Sequence, residues 1–454
     1  MERIKDWKSY QKILNRRKYK KHRFVYFAKY AAALVFICIL FYGFFRLYYY
    51  GKSIFFPANK RIPGTGIRPI KFVKASALSK KKRYSFNAGD GDVNSLNSLK
   101  EYFRRHNPVF KIIRNGKYVQ KIGRYTVVYT VDPSVQKEAE KVFKEYEVPY
   151  GVLAALNPET GAVLGFASYA RNKSRSDEIS PLIAYPPGSL VKIITASAAI
   201  ESKGFYPGFN ICFNGTLYGT DKTNWEQNIG TGSSTISFKE AFAKSCDVAF
   251  GKIAGYYVGS KLLTNYFDKF SFNKKIPFIL NLQESKAYMP KRFYQLELTG
   301  AGFENVRITP IQAAMIAGSV INGGRLIEPY IIKEIISSSG KIVYKHKGIK
   351  TLGDPITTKT AYILKRLMIA TITKGIAHPD FYSPADRYML PGVISGGKTG
   401  TISGNNPNGL YQWFAGFGEM NKKKIALSAL VVEKPVWRIE GGGVSEKALF
   451  AYFF

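Results

Sequence analysis

The sequence predicts an α+β domain preceded by one transmembrane helix. Three observations carry this. Residues 24–50 are almost wholly apolar or aromatic, interrupted only by Lys29 and Arg46. Beyond residue 125, stretches of strand length and β-branched or apolar character cluster at 127–167 and again at 411–432. Between them runs a mostly helical region, to about residue 324. A sheet assembled from two distant ends of a chain is α+β, whereas strict strand–helix alternation gives parallel βαβ units.

The chain has 454 residues, room for one large domain or two or three ordinary ones with appendages. Its 46% hydrophobic content and 41 glycines suit a globular protein rather than a disordered one. Lys and Arg number 68 against 31 Asp and Glu, a net charge of +37. Such a field implies anionic surroundings: nucleic acid, an anionic membrane or a cell-wall polymer.

Residues 1–23 carry ten Lys/Arg and two Asp/Glu. They read as a basic cytoplasmic tail under the positive-inside rule. Residues 24–50 follow as the anchor, with Lys29 and Arg46 snorkelling and the tyrosines at the interface. The aromatic flank has no small-residue cleavage site, so an uncleaved single-pass anchor in the cytoplasmic membrane is expected. The rest of the chain is then extracytoplasmic, which weighs against nucleic acid as a partner.

Residues 51–123 are basic and rich in turn residues, and read as a juxtamembrane stalk or small module. A short helix is expected at 95–105 and a hairpin around Asn115-Gly116. The main domain is placed at 124–454. A strand at 127–131 leads to Asp132-Pro133, an N-cap and a first-turn proline, and a helix over 134–146. A hairpin follows, 152–156 and 162–167 around Asn157–Gly161, apolar on both faces as in a sheet covered on both sides. Strands at 411–417 and 424–432 and a helix at 445–454 close the domain.

Ser189 and Lys192 follow the turn Pro186-Pro187-Gly188 and open an apolar helix. Three residues apart on a helix, hydroxyl and amine share a face. A serine needs a neighbouring base to become a nucleophile, and a lysine whose pKa is lowered by burial can be that base. Ser-x-x-Lys recurs, at Ser9, Ser79, Ser134 and Ser338 among others. Ser134 fits a capped exposed helix, and Ser338 a Ser-Ser-Ser-Gly turn.

Lys398-Thr399-Gly400-Thr401 contains the single Lys-Thr-Gly of the chain. On a strand, its glycine admits a close approach, its lysine offers a fixed cation and its threonine a donor. No phosphate-loop pattern surrounds it. Between the two motifs, Ser245-Cys246-Asp247 lies in a helical context at 238–254 and offers a proton relay. The rival Ser271-Phe272-Asn273 reads as a turn.

No cofactor or metal site is expected. There is no Cys-x-x-Cys, and His22, His106, His346 and His378 sit in no metal or triad motif. Whether Cys212 and Cys246 pair is left open.

Ser-x-x-Lys, Ser-x-Asp and Lys-Thr-Gly in this order resemble the penicillin-binding proteins and serine β-lactamases. Thr130-Val131-Asp132 with Gln136, the Asn157–Gly161 turn and Gly300-Ala301-Gly302 match too. So do Thr309-Pro310-Ile311-Gln312, Asn322-Gly323-Gly324 and Trp413-Phe414-Ala415-Gly416-Phe417.

The resemblance implies a β-lactamase/transpeptidase-like fold, an antiparallel sheet flanked by helices. It implies that Ser189 attacks D-Ala-D-Ala of a peptidoglycan stem peptide and that Lys192 takes its proton. Ser245 and Asp247 would relay protons and position substrate. Lys398 and Thr399 would bind the terminal carboxylate, with Gly400 and Thr401 also at the substrate. Backbone N–H groups of Ser189 and Thr401 would form the oxyanion hole. β-Lactam antibiotics would acylate Ser189.

Many family members have Asn at the position of Asp247; the Ser-x-Asp variant resembles elongation-type class B proteins. The added anion would tend to keep Lys192 charged. The 51–123 segment is too short for a glycosyltransferase domain. The anchor, and the lack of a Glu-x-x-Leu-Asn motif, argue against a free β-lactamase; Glu284 and Glu297 read as surface carboxylates. The leading expectation is a membrane-anchored D,D-transpeptidase beside a SEDS-family glycan polymerase. The alternatives are a D,D-carboxypeptidase or weak β-lactamase, and a low-turnover scaffold subunit.

Overall fold

The computed structural model describes Val93 and residues 95–454, apart from 226–232 and 434–437. The expected tail (1–23), the anchor (24–50) and residues 51–92 lie outside these. Among the described residues no helix is long and apolar enough to cross a membrane.

Helix α1 (Leu96–Arg105) starts where the Ser95 hydroxyl accepts the Ser98 N–H, and buries Leu99 and Phe103, four apart. Strands β1 (Ile112–Arg114) and β2 (Lys117–Ile122) form the hairpin expected at Asn115-Gly116. Both turn residues have positive φ, the geometry that fits the twist of a two-residue hairpin. β3 (Tyr125–Tyr129) pairs with β2. The expected division between 123 and 124 falls in the turn between these strands, and the sheet continues across it. In α2 (Pro133–Glu145), Asp132 accepts the N–H groups of Ser134 and Val135, as its sequence predicts. β4 (Tyr150–Leu156) and β5 (Val163–Ala170) make the next hairpin.

The middle of the chain holds α3 (Lys192–Lys203), α4 (Phe238–Ala243), α5 (Asp247–Lys252), α6 (Phe293–Ala301) and α7 (Pro310–Ile321). β6 (Ile332–Ser337) and β7 (Ile342–Lys345) pair around the turn bearing Ser338. Then come α8 (Thr358–Thr373), the long strands β8 (Ile394–Asn405), β9 (Asn408–Met420) and β10 (Lys423–Glu433), and α9 (Gly441–Phe453).

The main sheet has the order β8-β9-β10-β4-β5 and is antiparallel throughout. The two ends of the domain meet where β10 pairs with β4, Ala429 opposite Leu153. A second antiparallel sheet has the order β1-β2-β3-β6-β7.

Side chains alternate across the main sheet with period two. Trp413, Ala415, Phe417, Leu430 and Val432 join the core shared with α3, α4 and α5. Phe414, Leu427, Ala429 and Val431 join the opposite core, with Val135 and Phe143 of α2 and Leu449 of α9. β4 is buried along its whole length, as its two apolar faces predict. Each large side chain so buried contributes about 1.5–3 kcal/mol. The site-bearing strand is thus the edge of a sheet fixed on both faces.

Four sequence expectations change. Ser189 lies in a 3-10 turn (Gly188–Val191) that precedes the α-helix, not inside its first α-turn. The expected helix over 238–254 breaks between Ala243 and Asp247, because Ser245 takes a left-handed φ of 58°. The second sheet, drawn partly from 332–345, was not anticipated; its strands are short and half-exposed, with weak alternation. The last helix begins at Gly441 rather than 445. There the buried Ser445 hydroxyl donates to the Gly441 carbonyl at 2.7 Å and closes the first turn.

Candidate active site

Pro186 to Lys192 is held by contacts far away in sequence. The Trp413 indole of β9 donates to the Pro186 carbonyl at 2.8 Å, and the Arg307 guanidinium to the Ala184 carbonyl at 2.7 Å. Thr195 of α3 donates to the Gly300 carbonyl at 2.7 Å. Two glycines let backbones touch here. A Cβ at Gly302, whose φ is +103°, would lie 2.1 Å from the Gly188 carbonyl oxygen. One at Gly400 would lie 2.4 Å from the Pro187 carbonyl oxygen. The close approach at Gly400 therefore comes from the chain's own serine turn, which it seats against β8.

A 3-10 turn has three residues per turn, so positions i and i+3 eclipse. This places Lys192 Nζ 2.9 Å from Ser189 Oγ. The same ammonium reaches the Ser245 carbonyl at 2.8 Å, Ser245 Oγ at 3.3 Å and Asp247 Oδ1 at 2.6 Å. The left-handed backbone of Ser245 turns both its carbonyl and its hydroxyl toward Lys192. A non-glycine residue pays roughly 1–2 kcal/mol for that conformation. Lys398 Nζ donates to Ser245 Oγ at 2.8 Å and to the Thr399 carbonyl at 3.0 Å. Ser245 is the bridge between the two lysines.

Both lysines are fully buried. Phe250 lies under the Lys192 ammonium and Phe242 under that of Lys398, each ring centroid at 5.7 Å. Burial pushes Lys192 below the ordinary lysine range, and the Asp247 carboxylate opposes that shift. Burial, and then the neighbouring Lys192 charge, hold Lys398 well below it, again opposed by Asp247.

A cleft of about 110 Å³ opens over this group. It is lined by Ser189, Ser245, Asp247, Thr399 and Thr401, which the sequence singled out. Lys398 is not in the lining; it lies behind Ser245. The cleft also has Tyr218, Phe303 and Ile376, which no motif marks. Tyr218 is legible only after folding, since it sits in a loop between β-structure and a helix with no spacing rule to flag it.

Other expected residues lie elsewhere. Ser134 is on the exposed face of α2. Ser271 and Asn273 form a turn with positive φ at both, Asn273 bonding to the backbone of Ala287. Cys212 and Cys246 are both free thiols. Glu284 is exposed and paired with Lys286, as expected of a surface carboxylate. Glu297 is not: it is 3% exposed, within α6, and its charge acts on the buried Lys252. Two of the secondary matches are structural: Gln136 bonds both ways to the backbone of Phe166, and Gln312 donates to the Phe270 carbonyl.

Comparison with known proteins finds relatives of the main domain. PbpA of Mycolicibacterium smegmatis, a peptidoglycan D,D-transpeptidase, is 26% identical over 336 residues, 66% of each chain. Stage V sporulation protein D of Bacillus subtilis is 26% identical over 291 residues, 60% of this chain and 43% of that protein. The chain thus spans about two thirds or less of these relatives. The imipenem acyl-enzyme complex of penicillin-binding protein A from Mycobacterium tuberculosis shares the fold. Its TM-score is 0.58 at 22% identity, covering 72% of this chain and 79% of that one. The family model for the penicillin binding protein transpeptidase domain matches residues 151–453, from β4 to the end of α9. The chain belongs to the penicillin-binding protein transpeptidase domain family.

Proposed function

We propose that this chain is a membrane-anchored D,D-transpeptidase that cross-links peptidoglycan stem peptides through an acyl-enzyme on Ser189, the residue β-lactams also acylate. The observation that carries the reading is the 2.9 Å contact between Lys192 Nζ and Ser189 Oγ at the floor of a cleft. Relatives named as D,D-transpeptidases support it.

A neutral Lys192 amine has two N–H donors. The Ser245 carbonyl and Asp247 Oδ1 accept them, and the lone pair then faces Ser189 Oγ. Ser189 gives its proton to Lys192 as Oγ attacks the carbonyl of the penultimate D-Ala. The C–Oγ bond forms and the C–N bond to the terminal D-Ala breaks. The Ser245 hydroxyl, which accepts from Lys398, is free to donate its own proton to the departing nitrogen, and Lys192 restores it. Such positioned proton transfer contributes typically 10²–10⁴-fold. N–H groups of Ser189 and of Thr401, on the edge strand, would hold the oxyanion. The Thr399 and Thr401 hydroxyls would meet the terminal carboxylate, with the Lys398 side chain behind them. An amine from a second stem peptide then displaces Ser189.

In this reading residues 24–50 anchor the chain in the cytoplasmic membrane, 1–23 stay in the cytoplasm and the catalytic domain faces outward. The partner it expects is a SEDS-family polymerase, which supplies glycan strands to join. Incubation with a pentapeptide donor and an amine acceptor tests the function. Cross-linked dimers are expected. Tetrapeptide alone would make the chain a D,D-carboxypeptidase, and neither product would make it a scaffold subunit.

A further inference from the structure

Transpeptidation needs two substrates, and the groups described so far serve the acyl donor. The second substrate is a primary amine, an ammonium ion in water. It must reach the ester carbon and lose protons there. Among the described residues, the polar groups beside Ser189 are Lys192 and, bonded to it, Ser245 and Asp247.

Segment 217–219 is fastened to this side. The Asp247 N–H donates to the Leu217 carbonyl at 2.8 Å, and the Gly219 N–H reaches Asp247 Oδ2 at 3.4 Å. The Trp225 indole holds the Gly219 carbonyl at 3.2 Å. Tyr218, between them, lines the cleft yet is 51% exposed. Its hydroxyl donates to the Lys244 carbonyl at 2.9 Å, which fixes the ring beside Ser245. Among the described residues, Asp247 Oδ1 is taken by Lys192, while Oδ2 makes only the long contact to Gly219. A ring face and a carboxylate oxygen together attract an alkylammonium.

We propose that Tyr218 and the Oδ2 edge of Asp247 form the binding subsite for the primary amine that accepts the acyl group. The inference rests on the transpeptidase reading. The bound ammonium releases one proton to solvent. The neutral amine attacks the ester carbon, the C–N bond forms and the C–Oγ bond breaks. The amine's second proton passes through Ser245 and Lys192 to Ser189 Oγ. Burial and the Asp247 carboxylate hold the Tyr218 phenol above its usual range, so it stays a donor to Lys244 throughout.

The test uses the full chain in detergent, a thiolester donor ending in D-Ala, and Nα-acetyl-lysine amide as the amine. The ratio of amide to hydrolysis product is followed against amine concentration. Tyr218→Leu is expected to raise the half-saturating amine concentration about tenfold, the loss of a partly desolvated cation–π contact. Tyr218→Phe keeps the ring but loses its bond to the Lys244 carbonyl and should show a smaller rise than Tyr218→Leu; in both, the loss should fall more on the amine dependence than on donor acylation. Unchanged amine dependence in Tyr218→Leu would overturn the subsite. So would a proportional loss of acylation, which would make Tyr218 structural. Wild-type acyl-enzyme that goes only to water at every amine concentration overturns the inference and leaves acylation standing. No acyl-enzyme at all overturns the functional reading and this inference with it.

Discussion

Lys192 and Asp247 form a contact of 2.6 Å in which the lysine is fully buried and the carboxylate nearly so. Burial lowers the lysine pKa and the carboxylate raises it, with burial the larger effect. The base is therefore held between two opposed influences, and its partner is one side chain. Replacing Asp247 by Asn removes the opposing charge. Lys192 then becomes neutral at lower pH, and the acidic limb of the penicillin acylation rate should move to lower pH in Asp247→Asn. The pH profile of acylation measures it. A limb that stays in place or moves up contradicts the arrangement.

Ser245 combines a strained backbone with a bridging hydroxyl, and the two can be separated. Ser245→Gly relieves a left-handed conformation worth roughly 1–2 kcal/mol and removes the hydroxyl. The variant should melt no lower than wild type, while acylation falls by about 10²–10³-fold. A variant with normal acylation would show that the bridge to Lys398 is dispensable.

Gly302 is in contact with the serine turn. An alanine there must push against the Gly188 carbonyl and adopt a φ of +103°. Gly302→Ala should destabilise the protein by about 1–3 kcal/mol and slow acylation with every residue of the site intact. Thermal melting and penicillin labelling of one sample report both effects.

Glu433, at the end of β10, accepts the backbone N–H groups of Arg438 and Ile439. Burial still raises its pKa from 4.5 to about 7. The folded state then holds a proton that the unfolded state loses. Below pH 4.5 its contribution to stability is fully present; it falls as pH rises and is gone above about 7. Glu433→Gln should flatten this part of the stability curve, measured by denaturant unfolding at pH 5 and pH 8. An equal slope in both proteins would assign the pH dependence to other groups.

What the sequence revealed was what short-range chemistry specifies. Asp132-Pro133 starts a helix wherever it lies, Asn115-Gly116 turns a hairpin, and Ser189, Lys192 and Lys398 are marked by spacing and order. Hidden were features created by tertiary contact. The helix over 238–254 has no local breaker; it breaks because the Ser245 carbonyl and hydroxyl both meet Lys192, 53 residues earlier. Gly400 looked like an opening for a ligand because the approach of Pro187 is long-range. Glu297 looked like a surface carboxylate because a charge on a helix is solvated by default; its neighbour Lys252 comes from a different helix. Tyr218 was invisible because a loop carries no periodicity.

The central claim is that Ser189 is the nucleophile. Intact-mass measurement with peptide mapping after exposure to benzylpenicillin tests it most directly. Wild type should gain one penicilloyl group, on the peptide containing Ser189, and Ser189→Ala should gain none. A wild-type protein that gains no mass, or a Ser189→Ala protein labelled as fully as wild type, would contradict the account.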